Sequence, residues 1–323
     1  MAWNGLKISE MFFEEYGRPM LEGQFAPWKD RVAAGLVGQT SECFGYDDWI
    51  SRDHDFAPGF CLWIPEELRS ELAEPLQAAY DALPADEFIC RHRMDVGMAP
   101  DSSLMTGARG KRVGVHSIEE FYFEHTGLTG APQTADDWMK TEQMYLAEAT
   151  NGRVFTDPEG TFTAVRNVWL GYYPSDVLKK KVAGNCAMAG KTGQFNYERC
   201  LKRGDTQAAY WCCTEFIHKA SAALFLLNGR YMPYYKWRDR AMQDFSVCVD
   251  AVPMMERLTQ LSEADSGAKT ALMEDIAGVI IAEIKARGWS KAPSDYLLDH
   301  ARQIMKTIED PELAKLNVFI GED

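Results

Sequence analysis

The sequence predicts an α+β protein: an N-terminal half built on a mixed sheet with helices, followed by an all-helical C-terminal half. Three observations predict it. Short apolar runs bounded by Gly, Pro and polar clusters are confined to the first half of the chain. From Thr163 onward those runs stop and helical periodicity takes over. The length of 323 residues, 46% of them hydrophobic and including nine Trp and sixteen Phe, suits one large or two ordinary domains with sizeable cores and excludes a disordered chain. The expected domains are 1–165 and 166–323.

The elements follow in order. Residues 8–21 form an amphipathic helix, with Met11, Phe12, Tyr16 and Met20 on one side. Pro27 and Trp28 mark a turn, and residues 31–37 are a short strand ending at Gly38. Residues 39–52, polar and glycine-containing, read as a loop. Residues 55–64 read as a second strand, with Phe56, Phe60, Leu62 and Ile64 sharing a face. Pro65 then opens a helix over 65–83, with Glu66 and Glu67 in its first turn. Residues 87–94 and 112–116 are further strand candidates. Ser117 caps a helix running to about Thr126, with Glu120 placed for a capping box. A helix over 136–150 and a short strand and turn over 152–157 complete the first half. In the second half, 207–228 is a long, largely apolar helix, and 269–287 and 294–308 are amphipathic helices, with Gly229 and Pro233 as punctuation.

The formal charge of −14 disfavours a nucleic-acid partner, because such a surface repels a phosphate backbone. The eight cysteines contain no C-x-x-C pair, which removes a zinc ribbon or thioredoxin motif and suggests reduced, mostly buried thiols. The N-terminus lacks a signal-peptide pattern, and the most apolar stretch, 220–227, is far short of the roughly 20 residues that span a bilayer. The expectation is a cytoplasmic protein with no membrane partner.

The segment from Gly38 to Phe56 carries the most chemistry. Alternate residues of a strand face the same way, so Asp53 and Asp55 would point together from the start of the second strand. Two neighbouring carboxylates repel unless a cation neutralises them, and Mg²⁺ suits hard oxygen ligands. With a nucleotide's phosphates, the pair would make a two-ion site supporting in-line displacement. The turn formed by Gly38, Gln39, Thr40 and Ser41 can offer backbone N–H groups and small hydroxyls to those phosphates.

This arrangement resembles the nucleotidyltransferase superfamily that includes DNA polymerase β and the aminoglycoside nucleotidyltransferases. That pattern is an apolar residue, Gly, a small residue, a loop, then acid-x-acid, matched here by Val37-Gly38 and Asp53-His54-Asp55. Two positions depart from it: Gln39 stands where Ser or Gly is usual, with Ser41 as a substitute, and His54 replaces an apolar residue. The chain is also similar to an uncharacterised bacterial domain-of-unknown-function family. That likeness rests on the Ser41-Glu42-Cys43, Asp47-Asp48 and Asp53-His54-Asp55 segment, on Arg203-Gly204-Asp205, on Leu226-Leu227-Asn228, and on Tyr231 through Trp237. The resemblance implies a nucleotidyltransferase fold for the N-terminal domain. It further implies a third carboxylate on a neighbouring strand, for which Asp95, Glu119 and Glu120 are candidates, and a base that is an acid or His116.

Arg203, Lys219 and Lys236 are candidate phosphate contacts, and Tyr231 lies in an aromatic run suited to stacking on a base. Packing between the two domains is the alternative for that run. Gly45, Asp47 and Asp48 could shape or line the loop over the nucleotide, and turn formation is the alternative for Asp47 and Asp48. A P-loop at Gly190-Lys191-Thr192 is rejected, since five residues separate Gly184 from Gly190 where the motif needs four. The expected activity is Mg²⁺-dependent transfer of a nucleoside monophosphate from a nucleoside triphosphate, ATP first, to a small-molecule or protein hydroxyl, with Asp53 and Asp55 as the catalytic and metal-binding pair. The alternatives are a non-catalytic nucleotide-binding protein of the same fold, a metal-dependent phosphohydrolase, and an interaction module with structural acids.

Overall fold

The computed structural model describes residues 3–48, 50–51, 58–97 and 112–322. Two compact units emerge: Met1–Pro132 with Tyr145–Gly171, and Gln133–Met144 with Tyr172–Asp323. The protein is α+β. Strands occur only in the first unit, and every described element of the second is helical.

The first unit is organised by a four-stranded mixed sheet made of Ala33–Leu36 (β1), Cys61–Ile64 (β2), Gly114–Ser117 (β3) and Arg153–Thr156 (β4), in the order β3-β2-β1-β4. β1 pairs antiparallel with β2 and β4, with a bulge between Ala34 and Gly35 on the β4 side. β2 and β3 run parallel, Trp63 opposite His116, which requires a long crossover between them. That crossover contains Arg69–Asp81, Ala85–Arg91 and Arg93–Val96.

Both faces of the sheet are covered, which is why Cys61-Leu62-Trp63-Ile64 is buried at every position instead of alternating. On one face Val32, Ala34, Leu62 and Ile64 join Ile8, Phe12, Phe13, Leu72, Leu76 and Phe88 in the main core. The N-terminal rod contributing Phe12 and Phe13 is Gly5–Phe12, a π-helical turn Phe13–Gly17, and Arg18–Gly23. On the other face Trp63 stacks on Phe162 at 3.9 Å and meets Phe121 edge-on at 5.5 Å, contacts of about 1 kcal/mol each beyond burial. Phe121 belongs to Ile118–Thr126 and Phe162 to Thr161–Leu170.

Several expectations need correction. The strand expected from Asp55 starts at Cys61, so the alternation argument for the acid pair has no described strand to rest on. The 39–52 loop contains a short helix, Ser41–Phe44. Residues 87–94 are helical: Ala85, Phe88, Ile89 and Val96 are buried, a 3.6-residue spacing that β-prone side chains obscured. The 136–150 helix is two helices, Ala135–Lys140 and Gln143–Thr150. Ser117 does cap its helix, accepting from Glu120 N at 3.1 Å, but the Glu120 carboxylate pairs with Arg69 at 3.1 Å.

The second unit is built around Ser175–Ala189, buried on nearly every side because Ala183, Gly184 and Ala187 admit close neighbours. Thr206–Leu227, Ser266–Ala286 and Leu297–Met305 are its other main helices. Lys180, fully buried, donates through Nζ to the carbonyls of Asn317 at 2.8 Å and Val318 at 3.4 Å, and burial pulls its ammonium down to about 8. Gly190, Lys191 and Thr192 begin a π-helical stretch, Gly190–Tyr197, with no phosphate loop there. Among the described residues no helix is long and apolar enough to cross a membrane.

Candidate functional site

β1 ends at Leu36, and the chain turns at Gly38 with φ of +138°. That value is natural to glycine and strained for any residue with a Cβ. Asn151 holds the turn through both of its amide atoms: Oδ1 accepts from Gly38 N at 2.9 Å, and Nδ2 donates to Gly38 O at 2.7 Å. Asn151 is itself fixed by Arg166, whose Nη2 donates to the carbonyls of Thr150 (2.6 Å) and Asn151 (2.9 Å) at the C-terminal end of Gln143–Thr150. Gly152 closes the assembly. Its N donates to Cys43 O at 2.8 Å, and a Cβ there would fall 1.9 Å from Leu36 O.

Beyond Gly38 the chain passes Gln39 and Thr40 and enters Ser41–Phe44. Thr40 occupies the N-cap position without a capping side-chain bond, and its Oγ1 lies 3.2 Å from Cys43 Sγ. Burial pushes the Cys43 thiol up to about 12, so it is not a nucleophile at neutral pH. Asp47 accepts from Gly5 N at 2.9 Å, tying down the start of the first helix. Asp48 accepts from Ile50 N and Ser51 N, a turn-forming role.

His125 faces this turn from the last turn of Ile118–Thr126. Its Nδ1 is 2.8 Å from Phe121 O. A carbonyl only accepts, so Nδ1 carries the proton and Nε2 carries a lone pair. That Nε2 is buried with no hydrogen-bond partner among the described residues. A Cβ built on Gly38 would meet a single described atom within 4 Å, this same Nε2 at 3.9 Å. Gly38 and this nitrogen thus lie side by side, both buried.

His116, on β3, also has a buried, unpartnered Nε2 among the described residues. Burial lowers both imidazoles below the ordinary histidine value. Glu124 and Glu120 partly offset this at His116 while His125 adds to it, and the Phe121 carbonyl and Glu124 partly offset it at His125. Both rings are neutral at pH 7. Trp63 Nε1 and Arg166 Nε are likewise buried without a partner among the described residues. Most buried polar atoms in folded proteins are paired, so each of these stands out among the described residues.

Sequence reasoning missed Asn151 and Arg166, which no local pattern ties to Gly38, and also His125 and Glu148. His125 sits on an ordinary helix and gave no signal. Glu148 did give one: it is a carboxylate set among Leu146, Ala147 and Ala149, all buried, and it is 6% exposed itself. Burial alone pushes it up to about 7.

Asp53 and Asp55 lie outside the described residues. Gly38, Gln39 and Thr40 form one continuous turn, and Ser41 begins the helix Ser41–Phe44. The second-unit candidates do not form a cluster of that kind. Arg203 is exposed at the end of Glu198–Lys202, and Lys236 is exposed in the short turn Tyr235–Trp237. Lys219 is buried, with Nζ 3.2 Å from Glu322 and 3.7 Å from Glu215. Tyr231 packs on Tyr172 at 4.8 Å and Tyr173 at 5.3 Å. Of the third-acid candidates, Asp95 lies on the helical turn Arg93–Val96, 3.3 Å from His92 Nδ1. Glu119 accepts from Glu66 N at 3.2 Å, and Glu120 faces Arg69. All three are off the strands. Among the described residues no group of three or more His, Cys, Asp and Glu could hold a metal ion.

Residues 138–238 match the model of a domain of unknown function (DUF4037). The match covers about a third of the chain and includes Glu148, Asn151, Arg166 and the aromatic run from Tyr231. Neither the curated proteins nor the solved structures contain a match to the chain.

Proposed function

We propose that this chain is a cytoplasmic nucleotidyltransferase that binds a nucleoside triphosphate, ATP first, at the Gly38 turn and transfers its nucleoside monophosphate to a hydroxyl, releasing pyrophosphate. One observation carries the reading: a glycine turn at the end of a central strand, clamped by Asn151, with a buried imidazole nitrogen beside it that has no partner among the described residues. A turn held rigid by side-chain bonds can present N–H groups to phosphate without reorganising on binding. Asn151 orients it, and Arg166 orients Asn151. Mg²⁺ on Asp53 and Asp55 would supply charge neutralisation at the phosphates. The net charge of −14 favours a small-molecule or protein acceptor over nucleic acid.

The test is thermal unfolding of the wild type and of Asp53→Asn/Asp55→Asn with each nucleoside triphosphate and Mg²⁺. A ligand at a hundred times its Kd stabilises by about 2.7 kcal/mol, a shift of several degrees. The wild type should show that shift and the double variant should lose it. An equal response from both proteins removes the metal assignment, and no response to any nucleotide from the wild type removes the function.

A further inference from the structure

We propose that residues 317–322 are an intramolecular ligand: a strap laid across Ser175–Ala189 that releases as a unit and that a free, extended peptide of the same chemistry replaces. The inference is independent of the nucleotidyl-transfer reading, and every residue it uses belongs to the second unit. The strap makes its own turn, with Phe319 N donating to Asn317 Oδ1 at 3.1 Å and Ile320 N to Asn317 O at 2.9 Å. Among the described residues, the hydrogen bonds and ion pairs that reach it from other elements come from two lysine side chains. Lys180 Nζ donates to the carbonyls of Asn317 at 2.8 Å and Val318 at 3.4 Å, and Lys219 Nζ stands 3.2 Å from the Glu322 carboxylate. Lys191 Nζ adds a cation–π contact, 5.2 Å from the centre of the Phe319 ring. None of these contacts uses a helix backbone group, so the strap can leave without breaking a helical ladder.

The crossing is shaped for close approach of two backbones. Gly184 lies inside Ser175–Ala189, where glycine is a poor helix former. A Cβ there would fall 2.9 Å from both Ile320 O and Glu322 N, and 3.1 Å from Gly321 C. Gly321 answers it from the strap: its φ of +88° is natural to glycine, and a Cβ on it would fall 2.5 Å from Met139 Cε. A glycine on each side therefore sets the register of the strap and gives the surface a requirement beyond charge.

Release is accommodated on the side of the lysines. Lys219 keeps Glu215, 3.7 Å from its Nζ, when Glu322 departs. Lys180 is fully buried with the strap in place, and burial pulls its ammonium down to about 8; any exposure to water on release lowers that cost. Three lysines gathered on one segment stand out in a chain of net charge −14. Their contacts define what the surface recognises: an extended peptide offering free carbonyls, an aromatic ring, a glycine and then a carboxylate.

The experiment begins with hydrogen exchange on the full chain. The Phe319 and Ile320 amides should exchange through an opening that leaves Ser175–Ala189 protected, and faster when an excess of free peptide of residues 316–322 holds the strap open. The same peptide, labelled with fluorescein, is then titrated into the full chain and into a chain ending at Leu316. The shorter chain should keep its circular dichroism spectrum and bind the peptide saturably. The full chain should bind it about 100-fold or more weakly, because its own strap competes at a high effective concentration. Peptides carrying Gly321→Val or Glu322→Lys should lose binding. Gly184→Ala should lower the unfolding temperature of the full chain, where its Cβ meets the strap, and raise it in the shorter chain, where only helix propensity remains. The inference is overturned if the strap amides exchange only with global unfolding, or if the shorter chain fails to fold. It is equally overturned if the shorter chain folds without binding the peptide, if it binds the Gly321→Val peptide as well as the native one, or if Gly184→Ala acts with the same sign in both chains.

Discussion

Glu148→Gln should make the protein more stable, by an amount that grows with pH. In the fold the Glu148 carboxyl is pushed from 4.5 to about 7 by burial. At about 1.4 kcal/mol for each tenfold change in proton affinity, the full penalty for ionising it is about 3 kcal/mol. Below pH 4.5 the acid is protonated both folded and unfolded, and there is no penalty. Between 4.5 and 7 the unfolded chain releases the proton while the fold retains it, so stability declines as pH rises. Above 7 the penalty is complete. Gln resembles the protonated acid and avoids it throughout. The variant should therefore gain about 3 kcal/mol at pH 8 and roughly half that at pH 5.5, as upper values, since relaxation and water entry reduce such penalties. Urea unfolding of both proteins at the two pH values measures the difference. A gain equal at both, or larger at pH 5.5, would refute the argument that the carboxylate is held away from water and from any cation.

Three other outcomes follow from the same geometry. Asn151→Ala strips both bonds from the Gly38 peptide and should cost about 2–4 kcal/mol in thermal or urea unfolding, with Asn151→Asp recovering only the acceptor half. Gly38→Ala meets no described atom nearer than 3.9 Å outside its chain neighbours but has a strained φ, so it should cost about 1–3 kcal/mol while the circular dichroism spectrum is unchanged; loss of fold would contradict that clearance. His116 and His125 bind protons less readily folded than unfolded, so lowering the pH from 6.5 should destabilise the protein, and the effect should diminish in His116→Gln/His125→Gln; an unaltered pH profile in that variant would show that other groups carry the acid response.

Much of the architecture is legible in the sequence where one signal dominates. Residues 31–37 contain β1, 112–116 anticipate β3, and the long apolar helix at 207–228 is Thr206–Leu227, because strand-length apolar runs and helical periodicity there have no competitor. The 87–94 segment was misread because Phe88, Ile89 and Cys90 favour strands individually, while the helical spacing appears only when Ala85 and Val96 are taken with them. The site was legible in half. Gly38 could be found because its neighbours announce a turn. Its supports could not: Asn151 and Arg166 lie more than a hundred residues downstream, and no local pattern ties them to it. His125 was hidden for the same reason, since an imidazole becomes informative only when its unpaired nitrogen is seen.

The Arg166–Asn151–Gly38 relay bears on local fluctuation. The Gly38 amide is not part of a strand ladder, yet its bond to Asn151 makes it dependent on the C-terminal end of a helix that Arg166 staples shut. Its exchange with deuterium should therefore track the opening of Gln143–Thr150 and not that of the loop around it. A slow-exchanging glycine at the tip of a fast-exchanging segment would be the signature. The turn would then be as steady as the helix behind it, whatever the segment ahead of it does.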